Sequence, residues 1–212
     1  MNVNDIVYID YIAKVKETGE IIDVTNEQIA KELGVYNPNI KYEALPVILG
    51  KGFIIKGLEE ELLKMKEGEE KEIEIPPEKA FGKRDENLIK IFKEKDFDKN
   101  VEVGQYIKIG NFVGKVISKN SGRILIDFNH PLAGKTLIYK VKIVKKVEND
   151  KEKINAISKI LFGKTFEIEE NGNEIKIFEN ELLPEQRASF SNLIFETTNY
   201  KKAIFISKFE KK

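Results

Sequence analysis

Few side chains in this sequence could carry covalent or proton-transfer chemistry, and their types and spacing narrow the choice further. There is no cysteine, which removes disulfides, thiolate metal sites, iron–sulfur clusters and cysteine nucleophiles. The single histidine, His130, lies between Asn129 and Pro131. One imidazole with no thiol to join it does not make a zinc site, and it leaves Ser–His–Asp chemistry little to work with; a structural histidine in a connector is the plainer reading. Asp23 could serve as an acid or base, but no second carboxylate stands at a telling spacing, and a hydrogen-bonding aspartate in a turn fits as well. Gly50-Lys51-Gly52 is too short for a phosphate loop and is not followed by Gly-Lys-Ser/Thr, so it reads as a strand-to-helix turn. Neither HExxH nor a nucleophile elbow occurs. Any activity must therefore run without thiols and with at most one imidazole. No cofactor and no metal is expected.

The elements around these residues follow from hydropathy. Val7, Ile9, Tyr11, Ala13 and Val15 alternate with more polar residues, as in a strand with one buried face. Extended structure resumes at Ile21-Ile22-Asp23, and Thr25 or Asn26 can cap a short helix over about 27–33 that stops at Gly34. Pro46-Val47-Ile48-Leu49 is an apolar strand. Ile54, Ile55, Leu58, Leu62 and Met65 then fall at helical spacing, with Gly68 as the stop. A strand over 70–75 ends at Pro76-Pro77. From about Arg84 to Asn129 the chain behaves as its own unit, with short strands and the hairpin turns Gly110-Asn111 and Asn120-Ser121-Gly122. Thr136 to Val147 is a long strand with Leu137, Tyr139, Val141 and Ile143 on one face.

Composition excludes whole classes. With 212 residues, 41% hydrophobic and 34% charged, the chain is long enough for one to three small domains and too apolar for disorder. No run approaches the ~18–20 apolar residues of a membrane-spanning helix, and Met1-Asn2-Val3-Asn4-Asp5 has no secretory pattern. A cytoplasmic setting and no membrane partner are expected. Thirty-six basic residues balance thirty-six acidic ones, so the basic excess of a nucleic-acid binder is missing and no nucleic-acid partner is expected.

One constellation absorbs several of these features. It is the run Leu49-Gly50-Lys51-Gly52-Phe53-Ile54-Ile55-Lys56-Gly57-Leu58-Glu59-Glu60, followed by Ile75-Pro76-Pro77-Glu78-Lys79-Ala80-Phe81-Gly82. It resembles the FKBP family of peptidyl-prolyl cis/trans isomerases. The likeness extends upstream to Tyr11 and Gly19-Glu20-Ile21-Ile22-Asp23, and downstream to Thr136-Leu137-Ile138-Tyr139-Lys140-Val141, covering about residues 3–147. The paired segments 80–88 and 127–135 are similar to the SlyD-like branch, in which a small domain interrupts the flap loop. The resemblance implies an α+β fold: an FKBP-type antiparallel sheet wrapped on a short helix (1–83 and 130–147), an inserted β-rich chaperone domain (84–129) and a C-terminal α/β domain of order αββαβ (148–212).

The implied reaction suits a chain so poor in catalytic side chains. Rotation about a prolyl peptide bond crosses a barrier of roughly 18–20 kcal/mol, because double-bond character is lost at the twist. No proton moves and no covalent intermediate forms. The twisted imide has less charge separation than the planar one, so an apolar, water-poor pocket favours it, and about 4 kcal/mol of such preference gives roughly a thousandfold. By resemblance the catalytic residues are Tyr11, Asp23, Ile54, Ile55, Leu58, Phe81 and Tyr139, with Ile22, Leu45, Val47 and Leu132 lining the substrate pocket. Ile54 and Ile55 would offer apolar wall and a backbone N–H, and Leu58 the floor. Two departures stand out: Leu58 where Trp is frequent, and Phe81 in place of the tyrosine of the family's turn.

In the insert, Leu88, Ile89, Ile91, Phe92, Phe97 and Phe112 exceed what a ~45-residue core can cover. Leu88, Ile91, Phe92, Phe97 and Phe112 are therefore expected to bind unfolded chains. The implied partners are unfolded or proline-containing polypeptides. The alternative is a non-catalytic chaperone or adaptor with a degenerate pocket. In 148–212, Phe166, Ile168, Ile175 and Ile177 give one apolar sheet face, and the last strand, Ala203 to Phe209, is apolar on both. A homodimer through 148–212 is expected to cover this surface, with docking against 1–147 as the alternative.

Overall fold

In the computed structural model, which describes residues 1–97 and 100–207, the elements up to the insert are β1 (Ile6–Val15), β2 (Ile21–Val24), α1 (Glu27–Glu32), β3 (Leu45–Ile48), α2 (Lys56–Leu62) and β4 (Glu70–Ile75). Then come β5 (Ile89–Lys93), β6 (Tyr106–Ile109), β7 (Phe112–Asn120) and β8 (Arg123–Asp127). The chain continues through β9 (Leu137–Val147), α3 (Asp150–Phe162), β10 (Glu167–Asn171), β11 (Glu174–Phe178), α4 (Pro184–Thr197) and β12 (Lys202–Ile206). They form two compact units, Met1–Ile75 with Leu137–Lys212, and Pro76–Thr136.

In the first sheet of the first unit the strands lie in the order β2-β1-β9-β4, and β3 pairs with β1; every pairing in this sheet is antiparallel. Val7, Ile9, Ala13 and Val15 of β1 and Leu137, Val141 and Ile143 of β9 are buried, as are Leu58, Leu62 and Met65 in and just after α2. A register shift between Tyr8 and Ile9, opposite Ile143 and Lys145, drops Val144 out of the alternation and leaves it exposed. The helix expected from Ile54 begins at Lys56. Ile55 caps it in an extended conformation, φ −59° and ψ 140°, so Ile54 and Ile55 stand in the loop before it.

The strand 45–48 is buried on both faces, which is why it reads as a continuous apolar run. Val7 and Val47 are register partners on one face, and Ile6, Ile48 and Val147 share the other. That second face is covered by the chain's own C-terminal region. Ile6, Ile48 and Val147 form one continuous core with Ile154 and Ile157 of α3, Ile175 and Ile177 of β11, and Phe190 and Ile194 of α4. Helix α3 is well bounded: the Asn149 side chain accepts from the Glu152 N–H at 3.1 Å, and Gly163 ends it with φ 69°. The third sheet, β10-β11-β12, has an antiparallel pair followed by a parallel one, and α4 makes the crossover the parallel pair requires. Residues 148–207 pack on the outer face of the first sheet, the docking weighed beside a homodimer. Docking covers the Ile175–Ile177 face; Phe209 lies outside the described residues.

The second unit is a four-stranded antiparallel sheet, β5-β8-β7-β6. Its core is small: Val101, Val116, Ile124 and Ile126, with Phe92, Phe97, Ile107, Ile109 and Phe128 packed against it. Gly114 lies so close to Ile126 that a Cβ there would meet its Cγ2 at 2.4 Å. The incoming and outgoing chains are tied side by side. Asn129 accepts from the Asp85 N–H at 2.8 Å and donates to the Asp85 carbonyl at 2.9 Å, the Gly134 N–H donates to the Gly82 carbonyl at 2.8 Å, and Arg84 pairs with Asp127 at 2.5 Å. The unit is accordingly wider than 84–129.

Candidate active site

Strand pairing brings Tyr11 and Asp23 together. Ala13 is the register partner of Asp23 across β1 and β2, and the Tyr11 hydroxyl, two residues along on the same face, donates to Asp23 Oδ2. The other carboxylate oxygen accepts from the Val24 N–H at 2.9 Å. Thr25 locks the pair from behind: its hydroxyl accepts from the Tyr11 N–H at 2.9 Å and donates to Asp10 at 2.9 Å. The Tyr139 ring lies against Tyr11, centroids 5.4 Å apart and planes tilted by 45°. Burial, followed by the hydrogen bond to Asp23 and its charge, holds the Tyr11 hydroxyl well above its ordinary range. Burial and the Asp23 charge push Tyr139 up to about 12. Both phenols stay protonated at neutral pH.

The loop carrying Ile54 and Ile55 is fixed by one carboxylate. Glu59 Oε1 accepts from the N–H groups of Gly50, Lys51 and Gly52 at 2.9, 3.1 and 3.0 Å. A nest of successive N–H groups is an anion site, and here the anion is the protein's own side chain. Gly50 and Gly52 supply the left-handed conformations the nest needs, φ 80° and 71°. Glu59 stands within the motif quoted from sequence but is assigned no such role there. A carboxylate seven residues after a Gly-x-Gly turn is the signal that could have found it.

A groove of about 410 Å³ opens beside these residues, lined among others by Tyr11, Asp23, Leu45, Phe53 and Ile54. Of the expected residues, Tyr11, Asp23, Leu45 and Ile54 reach it directly, and Tyr139 touches it through Tyr11. Leu58 and Val47 are buried in the core, at 2% and 0% exposure. Ile22 and Ile55 are half-buried outside the groove lining. Phe81 and Leu132 belong to the second unit. There Phe81 stacks flat on His130, centroids 4.3 Å apart, and His130 Nδ1 accepts from the Leu132 N–H at 3.1 Å. Thr25, Phe53, Pro46 and the end of α3 were not singled out from sequence, though Phe53 sits inside the motif that was.

The expected client-binding residues divide. Leu88, Ile91 and Phe112 are exposed, the last two at 63% and 71%, whereas Phe92 and Phe97 pack into the small core. No group of three or more acidic or imidazole side chains that could hold a metal ion occurs among the described residues, and no helix among them is long and apolar enough to cross a membrane.

Comparison with known proteins bears on the same region. The profile described as FKBP-type peptidyl-prolyl cis-trans isomerase matches residues 1–144. The short-type peptidyl-prolyl cis-trans isomerase of Methanocaldococcus jannaschii is 40% identical over 144 residues, covering 66% of this chain and 89% of that protein. The FKBP-type isomerases SlyD of Treponema pallidum and Helicobacter pylori are 35% and 34% identical over 144 and 128 residues, covering 65% and 58% of this chain and 73% and 69% of theirs. Residues 145–212 lie outside the matched profile. An apolar groove edged by a tyrosine–aspartate pair, on a sheet wrapped over a short helix, thus occurs in a chain that belongs to the FKBP-type peptidyl-prolyl cis-trans isomerases, in their SlyD-like branch.

Proposed function

We propose that the Tyr11–Asp23 groove is where this isomerase turns X–Pro bonds, by electrostatic and steric preference for the twisted imide and without proton transfer. The observation that carries this reading is the neutral, immobilised Tyr11 hydroxyl at the edge of an apolar groove. It is held by Asp23, backed by Tyr139, and flanked by Leu45 and Ile54. No hydrogen bond from the Ile55 backbone N–H is found among the described residues, which leaves it available for a substrate carbonyl. The test is a proline-tetrapeptide isomerisation assay on Asp23→Asn, Asp23→Ala and the parent protein. Asn still accepts the Tyr11 hydrogen bond, so it retains much of the activity, while Ala loses more, and the parent rate is flat between about pH 6 and 8. A rate that changed steeply with pH would instead point to a proton-transfer step.

Residues 84–129 act in this reading as a holding surface for unfolded chains. Ile91, Tyr106, Phe112 and Val113 are exposed on a sheet whose core is only a few side chains deep, and Val103 is exposed in the turn before β6. Replacing 84–129 by a short turn should abolish aggregation suppression and spare tetrapeptide turnover. The homodimer remains a proposal for the outer face of the third sheet, where Ile204 and Ile206 are half-buried beside Lys176 and Phe178. Light scattering on the full chain decides it, and a monomer rejects it.

A further inference from the structure

The groove has two walls, and one of them comes from a part of the chain outside the matched family profile. Tyr11, Asp23, Leu45 and Ile54 form the near wall, and Lys159, Ile160 and Gly163, the last turn and cap of α3, form the far one. This wall is rigid. Ile154, Ala156 and Ile157 of α3 are fully buried against Ile6 and Ile48, and the Ser158 hydroxyl, donating to the Lys164 carbonyl at 2.6 Å, fastens the chain just past the helix. The charges in the groove cancel locally. Lys159 meets Glu43 at 3.3 Å, and Glu43 is also paired with Lys41 at 2.9 Å. With Asp23, two lysines face two carboxylates, so the groove offers no net charge to a ligand. It offers apolar surface: Leu45, Phe53 and Ile54 on one side and Ile160 on the other. Its volume lies in the range of pockets that enclose a small ligand, roughly 300–1,000 Å³, and exceeds what one proline ring needs.

We propose that the end of α3 is a specificity wall of this isomerase, with Ile160 contacting a large apolar side chain that neighbours the substrate proline. The proposal rests on the reading of the groove as the prolyl site. Tyr11, Asp23 and Ile54 line the same groove as Ile160, so a residue beside a proline held at the Tyr11–Asp23 edge comes within reach of α3. A leucine-sized neighbour fills the gap between Leu45 and Ile160; an alanine leaves it wet. The ion-paired Lys159–Glu43 rim favours neither charge.

Two measurements on the full chain separate failure of this inference from failure of the underlying site. The first is methyl NMR of isoleucine-labelled protein titrated with tetrapeptides carrying Leu or Ala beside the proline. The Leu peptide should shift the Ile54 and Ile160 methyls with one concentration dependence. If Ile54 moves and Ile160 does not, the wall is refuted while the site stands; if neither moves, the site reading itself fails. The second is the ratio of kcat/KM for Leu-flanked over Ala-flanked peptides. Ile160→Ser should lower that ratio by about threefold or more, and Ile160→Leu should restore it. An equal loss for both peptides in Ile160→Ser, or an unchanged ratio, overturns the proposal. Because the NMR arm uses unsubstituted protein, a poorly folded variant does not shield the proposal from refutation.

Discussion

The C-terminal region and the insert spend similar stocks of apolar residues in opposite ways. Over 148–207 six large side chains turn inward: Ile154, Ile157, Ile175, Ile177, Phe190 and Ile194 are fully buried in a core shared with Ile6 and Ile48, while Leu183 and Phe195 are exposed. Among the described residues of the insert only Val116, Ile124 and Ile126 reach zero exposure, while Ile91, Val103, Tyr106, Phe112 and Val113 face solvent. Size alone does not explain the difference, since both segments are too small to bury much surface unaided. Docking does. The C-terminal region borrows an existing sheet face, whereas the insert's own sheet leaves its outer apolar residues uncovered within its unit. One region shares its core with the first sheet; the other keeps apolar side chains in solvent.

The contrast can be broken at its strongest point first. Phe190→Ala opens a cavity in the shared core and should cost about 3–5 kcal/mol, lowering the first unit's unfolding transition as a whole in calorimetry. If only 148–212 loosens while the β1–β9 sheet melts unchanged, the two do not share a core. Next is Ile126→Ala, at about 2–5 kcal/mol. Its effect should stay within the insert, seen as early loss of amide protection over 89–127 with tetrapeptide turnover intact. Alkaline titration sharpens the comparison from the side of the site. The folded-state pKa values of Tyr11 and Tyr139 lie above the unfolded value near 10, so the folded protein holds protons that the unfolded chain releases. Their stabilisation is complete below pH 10 and drains away as pH rises from 10 through about 12, which urea melts across that window would register. The smallest stability effect belongs to the exposed apolar side chains of the insert. Ile91→Ser and Phe112→Ser should each change stability by no more than about 0.5 kcal/mol, yet together weaken aggregation suppression. A large stability loss would mean these side chains are core after all.

Legibility in the sequence follows contact range. Strand β1 is a local signal and stands where alternation places it; the Asn149, Gly163 and Pro184 boundaries of α3 and α4 are capping signals just as local. Tyr11 and Asp23 were readable because the motif that carries them is long and continuous. The late start of α2 was not, since Ile54 and Ile55 sit at helical spacing yet are held extended by the Glu59-anchored loop. Nor was the far wall of the groove. Lys159 and Glu43 are 116 residues apart, and the apolar character of Ile160 says only that α3 has a buried side. The double burial of β3 was visible as an apolar run, but what covers its second face was not.

The carboxylate of Glu59 has a kinetic consequence. Gly50, Lys51 and Gly52 form a surface turn, and surface amides ordinarily exchange with solvent deuterium almost at once. Here three successive amides point at one oxygen borne by α2, so none of them exchanges until the helix and the turn part company. Their exchange times should therefore match one another and track the opening of α2 rather than the openness of the turn, making these three amides a clock for how often the loop before Ile54 comes loose from the helix behind it.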